Sequence, residues 1–168
     1  MRLDDGESFV TEFEVVTFKA KYANAFAELN YAWIETYFSI EEEDHRSLDS
    51  PYDYAIEPGG EIFFMLRSDQ VIGTVALVPV NPKEADLKTF ELAKMAIDPA
   101  FQGRGLGQKL LSHCIDWARS KRAKYIVLTT NDVLKPALRV YEKAGFVEEP
   151  DNFDDRYRRG NLTMRLVL

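Results

Sequence analysis

The sequence predicts a single α/β domain over residues 1–168, with a mixed central sheet flanked by helices. Strand-like runs come as an adjacent pair in the first half of the chain, whereas strand-like and helix-like segments alternate in the second half. No internal repeat, low-complexity tract or linker interrupts the sequence. A hydrophobic content of 46% with 29% charged residues suits one globular core.

The elements of the first half are predicted from periodicity and capping residues. Residues 11–18 predict a first strand, and an aromatic and aliphatic stripe at helical spacing then predicts a helix whose stripe lies in the core. The stripe consists of Tyr22, Phe26, Leu29, Trp33 and Tyr37. Ser39 can cap a second helix or turn, and the acids at residues 41–44 favour a helix start. An acidic run is usually a solvated face, so we expect these acids to be exposed.

Two β-rich runs in the middle of the chain predict a hairpin. They span residues 61–67 and 71–80, and the polar turn Ser68-Asp69-Gln70 separates them. A further β-rich run over residues 92–97 ends at Asp98-Pro99. The sheet therefore has a strand that leads directly into the next segment.

That segment is a glycine-rich loop, the most informative part of the sequence. Glycine occurs at positions 103, 105 and 107, and an amphipathic helix is predicted over residues 108–119. The helix places Leu110, Leu111, Cys114, Ile115 and Ala118 on one packed face. A strand, a glycine loop and a helix start bring free main-chain N–H groups and a positive helix end together, which favours phosphate. We therefore expect a phosphate-bearing cofactor here.

The spacing of the glycines excludes two familiar phosphate loops. A dinucleotide fingerprint that begins at Gly103 requires glycine where Gln108 stands, and one that begins at Gly105 requires it where Leu110 stands. A P-loop from Gly103 requires Gly-Lys followed by Ser or Thr, whereas the chain has Gln108-Lys109-Leu110. The phosphate site belongs to neither class.

The remaining elements complete the alternation of strand and helix. Residues 124–131 predict a strand, and residues 134–146 predict a helix with Pro136 in its first turn and Gly145 just past its end. Leucine and methionine alternate with other residues over positions 161–168, which predicts a final strand.

Two of these segments resemble the GCN5-related N-acetyltransferase (GNAT) superfamily. The loop Gln102-Gly103-Arg104-Gly105-Leu106-Gly107 is similar to the family's Gln-x-x-Gly-x-Gly/Ala motif, and Tyr141-Glu-Lys-Ala-Gly-Phe146 is similar to its Tyr-Glu-Lys-x-Gly-Phe motif. The resemblance implies a sheet that is split to admit acetyl-CoA as co-substrate, and transfer of the acetyl group to a primary amine. It also implies that the cofactor is held by the loop and by main-chain groups of the preceding strand.

The resemblance assigns roles to individual residues. Tyr141 is expected to be the general acid, because helical spacing turns its ring inward and a phenol with a pKa near 10 keeps its proton at neutral pH. Glu91, at the entrance to the cofactor strand, is expected to be the base, directly or through water. The cofactor-binding residues implied are Met95, Ala96, Ile97, Gln102, Gly103, Arg104, Gly105, Leu106, Gly107, Gln108 and Asn131.

Three points are left open by the sequence around this site. Many relatives carry asparagine where this chain has Leu134, so that cofactor contact is not carried over, and Asn131 is either its substitute or an ordinary turn residue. Glu91 is otherwise an exposed acid or a partner of Lys94. The acceptor is a small molecule or a peptide. Two alternative functions remain open: a module that binds acyl-CoA without turnover, and an interaction protein with an empty cleft.

Charge and composition exclude other partners. A net charge of -7 opposes nucleic acid, and the basic residues at positions 156–159 stand beside three aspartates. A single cysteine and two distant histidines, His45 and His113, predict no metal site, and Cys114 is expected to be a small buried hydrophobe. No apolar run approaches the ~20 residues that cross a bilayer, and no signal-peptide core is present. We therefore expect a cytoplasmic protein without a membrane partner, with a homodimer left open.

Overall fold

The computed structural model of the chain describes residues 12–83, 88–149, 156 and 158–168. Within these ranges a seven-stranded mixed sheet carries helices on both faces, as the sequence predicts. The strands are β1 (Glu14–Thr17), β2 (Glu61–Arg67), β3 (Gln70–Pro79), β4 (Thr89–Ile97), β5 (Tyr125–Thr130), β6 (Val147–Glu148) and β7 (Leu162–Val167). The helices are α1 (Ala23–Tyr37), α2 (Glu42–Leu48), α3 (Leu106–Ser120) and α4 (Lys135–Ala144).

The sheet has the order β1-β2-β3-β4-β5-β7-β6. Every neighbouring pair is antiparallel except β4 and β5, which are parallel and are connected by α3. The predicted hairpin is β2 with β3, and its turn residues Ser68 and Asp69 have φ values of 46° and 67°. Two consecutive residues with positive φ give the tight turn whose twist matches that of the strands. The strand β6 was not predicted, because two residues show no alternation.

Two hydrophobic clusters cover the two faces of the sheet. The larger cluster packs α3 and α4 against one face and includes the predicted apolar side of α3. The smaller cluster packs α1 and α2 against the other face. Strand residues alternate between the clusters, so that Leu77 of β3 faces α3 while its neighbour Ala76 faces α1. The part of the chain that the structure describes contains no helix long and apolar enough to span a membrane.

The predicted stripe of the first helix is partly wrong. The residues of α1 that are buried against the sheet are Phe26, Asn30 and Ile34, four positions apart. Tyr37 is exposed. A short helical turn at Ala20–Tyr22 precedes α1, so the helix starts at a different rotation from the one that a continuous stripe from Tyr22 implies. A buried polar residue then occupies the centre of the packed face.

The second helix also differs from its prediction. It is capped by Glu41 instead of Ser39, and the Glu41 N–H donates to the Asp44 carboxylate over 2.8 Å. Glu42 is exposed, as expected for an acidic run, but Asp44 is completely buried. The prediction of a solvated face is therefore wrong for Asp44, since the fold supplies that carboxylate with cations from distant parts of the chain.

Candidate active site

The central sheet divides between β4 and β5. These strands pair at three positions, from Thr89 opposite Tyr125 to Glu91 opposite Val127, and no pairing is found between them beyond Glu91 within the described residues. Strand β5 instead continues along β7 as far as Thr130. Residues 92–97 of β4 therefore have main-chain groups on the β5 side that face a gap, which is an edge that an extended ligand can pair with.

An open cleft of about 410 Å³ occupies this gap. One wall is formed by residues 92–97 of β4 and the other by residues 128–131 at the end of β5. The glycine loop and the start of α3 lie at one end, and α4 and α1 contribute further side chains. The volume lies within the range of small-molecule pockets, and the lining is mostly apolar with a few polar groups.

The glycine loop adopts a conformation that only glycine takes readily. Gly103 and Gly105 have φ values of 79° and 75°, in the left-handed region. A Cβ placed on either residue would meet no atom within 4 Å, so the loop borders open space. Gly105 caps α3, whose first N–H groups have no partner within the helix. This loop therefore fits a phosphate group, which can approach the main chain closely at the positive end of a helix.

Of the other residues predicted for the loop, Gln102 and Gln108 line the cleft and bond to neighbouring main chain, whereas Arg104 does not line it. Gln102 donates from Nε2 to the Ile97 carbonyl over 3.2 Å and holds the loop against β4. Gln108 donates from Nε2 to the Val140 carbonyl over 3.2 Å and ties α3 to α4. Arg104 is not among the described residues that line the cleft. Its guanidinium lies over the Phe101 ring, 5.4 Å from the ring centroid.

Tyr141 lines the cleft from α4. The residue is 8% exposed, and its ring packs edge-on against Phe146 with 5.9 Å between the ring centroids. The inward orientation expected from helical spacing is confirmed. Burial raises the pKa of Tyr141 to about 12, so the phenol keeps its proton at neutral pH. Among the described residues none accepts a hydrogen bond from this hydroxyl, which leaves it available to a ligand in the cleft.

Glu91 lies at the fork of the sheet, because it is the last residue of β4 that pairs with β5. Its carboxylate accepts a hydrogen bond from Arg156 and is not part of the described lining of the cleft. The lysine considered as its partner, Lys94, instead donates to Asp44. The role of Glu91 as base stays a prediction.

Asn131 lines the cleft at the end of β5, and both ends of its amide are engaged. Its Nδ2 donates to the Arg159 carbonyl over 2.7 Å, and its Oδ1 accepts from the Val133 N–H over 2.9 Å. The second contact is the turn expected of an asparagine that leaves a strand. Leu134 also borders the cleft. Binding of the cofactor by Asn131 stays a prediction.

A cluster of charges beside the cleft was missed by the sequence analysis. Lys94 of β4 donates from Nζ to Asp44 Oδ1 over 2.8 Å, and Arg159 donates from both Nη atoms to the same carboxylate over 2.6 and 2.8 Å. Glu41 also accepts from Arg159. Lys94 and Arg159 line the cleft, while Asp44 lies behind them. No local pattern reveals a group whose members lie 50 and 115 positions apart in sequence.

The surroundings of Asp44 keep its carboxyl ionised. Burial by itself would raise the pKa of Asp44, but hydrogen bonds from Arg159 and Lys94, together with the Glu41 N–H, outweigh burial and lower the pKa to about 2. Charge-assisted hydrogen bonds of this length are the strong ones in proteins. The cluster therefore ties α2, β4 and the segment before β7 together beside the cleft.

The described residues offer neither a cysteine nucleophile in the cleft nor a cluster of metal ligands. Cys114 is completely buried in the apolar face of α3, and burial raises the pKa of its thiol well above the ordinary value. Such a thiol is inert as a nucleophile. Within the described ranges, no group of three or more histidine, cysteine, aspartate or glutamate side chains is arranged to hold a metal ion.

Comparisons with known proteins point to one family. The sequence profile of the acetyltransferase (GNAT) family matches residues 27–146. The uncharacterised N-acetyltransferase YjgM of Escherichia coli K12 is 33% identical over 100 residues, which are 60% of this chain and 59% of that protein. The N-acetylaspartate synthetase of Danio rerio is 33% identical over 103 residues, 61% of this chain and 35% of that protein. The chain thus matches 59% and 35% of the length of these relatives.

Solved structures show the same fold over nearly the whole chain. An acetyltransferase from Streptococcus agalactiae superimposes with a TM-score of 0.76 at 26% identity, covering 94% of this chain and 99% of that one. YncA of Salmonella typhimurium, a putative acetyltransferase whose structure contains acetyl-CoA, superimposes with a TM-score of 0.72 at 18% identity, covering 93% of this chain and 94% of that one. Because YncA is only 18% identical to this chain, its similarity shows the fold alone.

Proposed function

Because the chain belongs to the acetyltransferase (GNAT) family, we propose that it is an acetyl-CoA-dependent N-acetyltransferase that acts directly on the primary amine of an acceptor. The observation that carries this proposal is the cleft at the fork of the sheet, which joins the glycine loop to the Tyr141 hydroxyl. The acceptor is an amine on a small molecule or a peptide.

Two segments of the chain along the cleft are suited to bind acetyl-CoA, the glycine loop and residues 92–97 of β4. Main-chain N–H groups from Gly103 to Gln108 are directed to the diphosphate, because the loop borders open space at a helix start. The pantetheine arm lies along residues 92–97 of β4 as an added strand, where β5 has separated from β4. This arrangement leaves the thioester in the gap near Met95 and Ala96.

The proposed reaction is a direct transfer. The neutral amine nitrogen attacks the thioester carbonyl carbon, and the carbonyl oxygen gains negative charge that a main-chain N–H near Met95 or Ala96 stabilises by ~3 kcal/mol. The carbon–sulfur bond then breaks, and the departing thiolate takes the proton of the Tyr141 hydroxyl. The nitrogen loses its extra proton, which returns to the tyrosinate through water. The amide product and free CoA are formed with no acyl group on the protein.

Deprotonation of the acceptor is assigned to Glu91, directly or through water. Its position at the fork supports this role, because the gap begins directly after this residue. The acceptor is proposed to enter from the side of the cleft that α1 and α2 cover, here called the acceptor side. The contact with Arg156 limits the action of Glu91 as a base, because a substrate ammonium has to share the carboxylate with that guanidinium. An acyl-cysteine route has no support in the cleft, since Cys114 is buried in α3.

Thiol release from acetyl-CoA with a panel of amines, amino acids and peptides tests the proposal. We expect at least one acceptor to raise release above the hydrolysis background, and Tyr141→Phe to lower kcat by ~10²-fold or more while the Kd for acetyl-CoA stays the same. Tyr125→Phe, a β5 tyrosine outside the described lining of the cleft, is the matched control and should retain activity. Binding of acetyl-CoA without release by any acceptor would instead identify a sensor, and absence of binding would contradict both.

A further inference from the structure

Strand β4 contains a bulge at the centre of the cleft wall. Ala93 lies opposite Ala76 and Ala96 lies opposite Thr74, so three steps along β4 correspond to two steps along β3. Lys94 lies within this bulge, and its φ of 54° is in the left-handed region. A lysine has no intrinsic preference for that conformation, so contacts with other elements have to hold it there.

The bulge changes which groups of β4 face the cleft. Leu92 packs toward α3 before the bulge, and Met95 and Ile97 pack toward α3 after it, whereas strict alternation would have placed residues 94 and 96 there. Main-chain groups alternate with the same period as side chains. Without the extra residue, the N–H groups that face the gap beyond residue 93 would therefore face β3 instead.

Two buried side chains reach the bulge from other elements. Thr74 of β3 donates from Oγ1 to the Lys94 carbonyl over 2.9 Å. Asn30 of α1 donates from Nδ2 to Thr74 Oγ1 over 3.0 Å and to the Phe26 carbonyl over 2.9 Å. Asn30 is 2% exposed and Thr74 is 0% exposed, so these bonds have no competition from bulk water. The carbonyl that the bulge removes from regular pairing is satisfied by this relay.

The relay explains why a polar residue lies in the packed face of α1. Asn30 occupies the position between Phe26 and Ile34 where an apolar residue would otherwise pack, and burial of its amide is compensated by two hydrogen bonds. The Lys94 side chain is fixed separately, by its bond to the buried Asp44. Thr74 of β3 and Asp44 of α2 therefore contact this strained residue directly, and α1 is linked to it through Asn30 and Thr74.

We propose that Asn30 and Thr74 are positioning residues, which hold the Lys94 bulge and thereby orient a main-chain N–H at Met95 or Ala96 toward the thioester oxygen. This inference rests on the proposed function, since it concerns the oxygen that gains charge during transfer. Both residues act on the bulge through hydrogen bonds; Asn30 also borders the cleft, whereas Thr74 is not part of its described lining. The acceptor-side helix α1 is in this way coupled to the cofactor strand.

Two variants and a control test the inference by steady-state kinetics with the best acceptor from the amine panel. Thr74→Val keeps the shape of the side chain and removes the hydroxyl, and we expect kcat to fall by about tenfold or more because donors displaced from the oxygen lose their effect. The KM for acetyl-CoA should change by less than about threefold, because the glycine loop that holds the diphosphate is untouched. Thr74→Ser restores the hydroxyl and should recover kcat to within about threefold of the wild type.

The control is Thr163→Val, the same substitution at a buried threonine of β7 outside the described cleft lining, which should leave kcat unchanged. The inference is overturned if Thr74→Val keeps the wild-type kcat, if Thr74→Ser is as slow as Thr74→Val, or if the loss appears wholly in KM. Circular dichroism and thermal melts of all variants show whether each is folded.

Amide hydrogen exchange of the ligand-free protein keeps the inference testable if Thr74→Val folds poorly or if no acceptor is found. In Asn30→Ala, which leaves the Thr74 hydroxyl in place, exchange at residues 94–97 should accelerate by about tenfold relative to the wild type, while exchange in α3 stays the same. Equal rates at residues 94–97 would overturn the inference. A wild-type protein with no thiol release, but with this exchange difference, would contradict the proposed function and retain the bulge relay.

Discussion

The two sides of the cleft are built in different ways. The proposed cofactor side consists of main-chain groups in a contiguous segment, residues 92–108, with glycines that permit the loop conformation. The proposed acceptor side consists of side chains from distant segments, and its charges meet at Asp44 through Lys94 and Arg159. A site made of main chain depends on conformation and tolerates most side-chain changes. A site made of buried charges depends on the identity of each residue and on the whole fold.

The largest effect is expected on the acceptor side. Asp44→Ala leaves two cations without the carboxylate that they share, and loss of one partner from a buried ion cluster costs about 3–5 kcal/mol of folding free energy. Urea unfolding followed by circular dichroism measures this loss. The matched control is Asp49→Ala in the same region, where the side chain is half exposed and accepts a hydrogen bond from Tyr31. It should cost about 1 kcal/mol or less, and equal losses in the two variants would contradict the contrast between the sides.

The same cluster predicts a loss of stability in acid. The pKa of Asp44 is lowered in the folded state to about 2, against an ordinary value near 4. Its contribution to stability is therefore complete above about pH 4 and is lost as the pH falls toward about 2. Unfolding free energies of the wild type and Asp44→Asn, measured from pH 5 to pH 2, should converge as the pH falls. Parallel curves would show that the carboxyl is not stabilised by Lys94 and Arg159.

The smallest effect is expected from one methyl group on the cofactor side. Gly105→Ala places a Cβ in open space but forces a left-handed φ on alanine, which costs ~1 kcal/mol and turns the neighbouring N–H groups. The Kd for acetyl-CoA, measured by calorimetry, should rise by about tenfold, equivalent to ~1.4 kcal/mol. Gly59→Ala is the control, since Gly59 also has a positive φ and is not part of the described cleft lining. A change in Kd of similar size in both variants would contradict a specific role for the loop.

The same contrast explains what the sequence could predict. The glycine loop, the strand before it and the helix after it are consecutive, so periodicity and turn chemistry suffice to predict them and to propose a phosphate site there. Tyr141 was predicted to face inward from spacing along its own helix. In each case the information lies within one or two elements.

The acceptor side was not predicted because its contacts depend on the assembled fold. Asp44 looks like its neighbours Glu42 and Glu43 in the sequence, and only the approach of Lys94 and Arg159 makes its burial favourable. Asn30 interrupts the apolar face of α1 because its amide donates a hydrogen bond to Thr74, which is 44 positions away in sequence. The bulge at Lys94 is marked in the sequence by a shift of the large apolar residues from positions 90 and 92 to positions 95 and 97, which the prediction of a regular strand overlooked.

Hydrogen exchange at individual amides, with and without acetyl-CoA, tests the central claim most directly, because the claim concerns main-chain N–H groups. Acetyl-CoA should slow exchange at residues 103–108 of the loop and at residues 95–97 of β4, while exchange in α2 and β1 stays within about twofold of the free protein. Protection that is confined to α1 and α2, or absent from both main-chain stretches at a saturating concentration, would contradict the account.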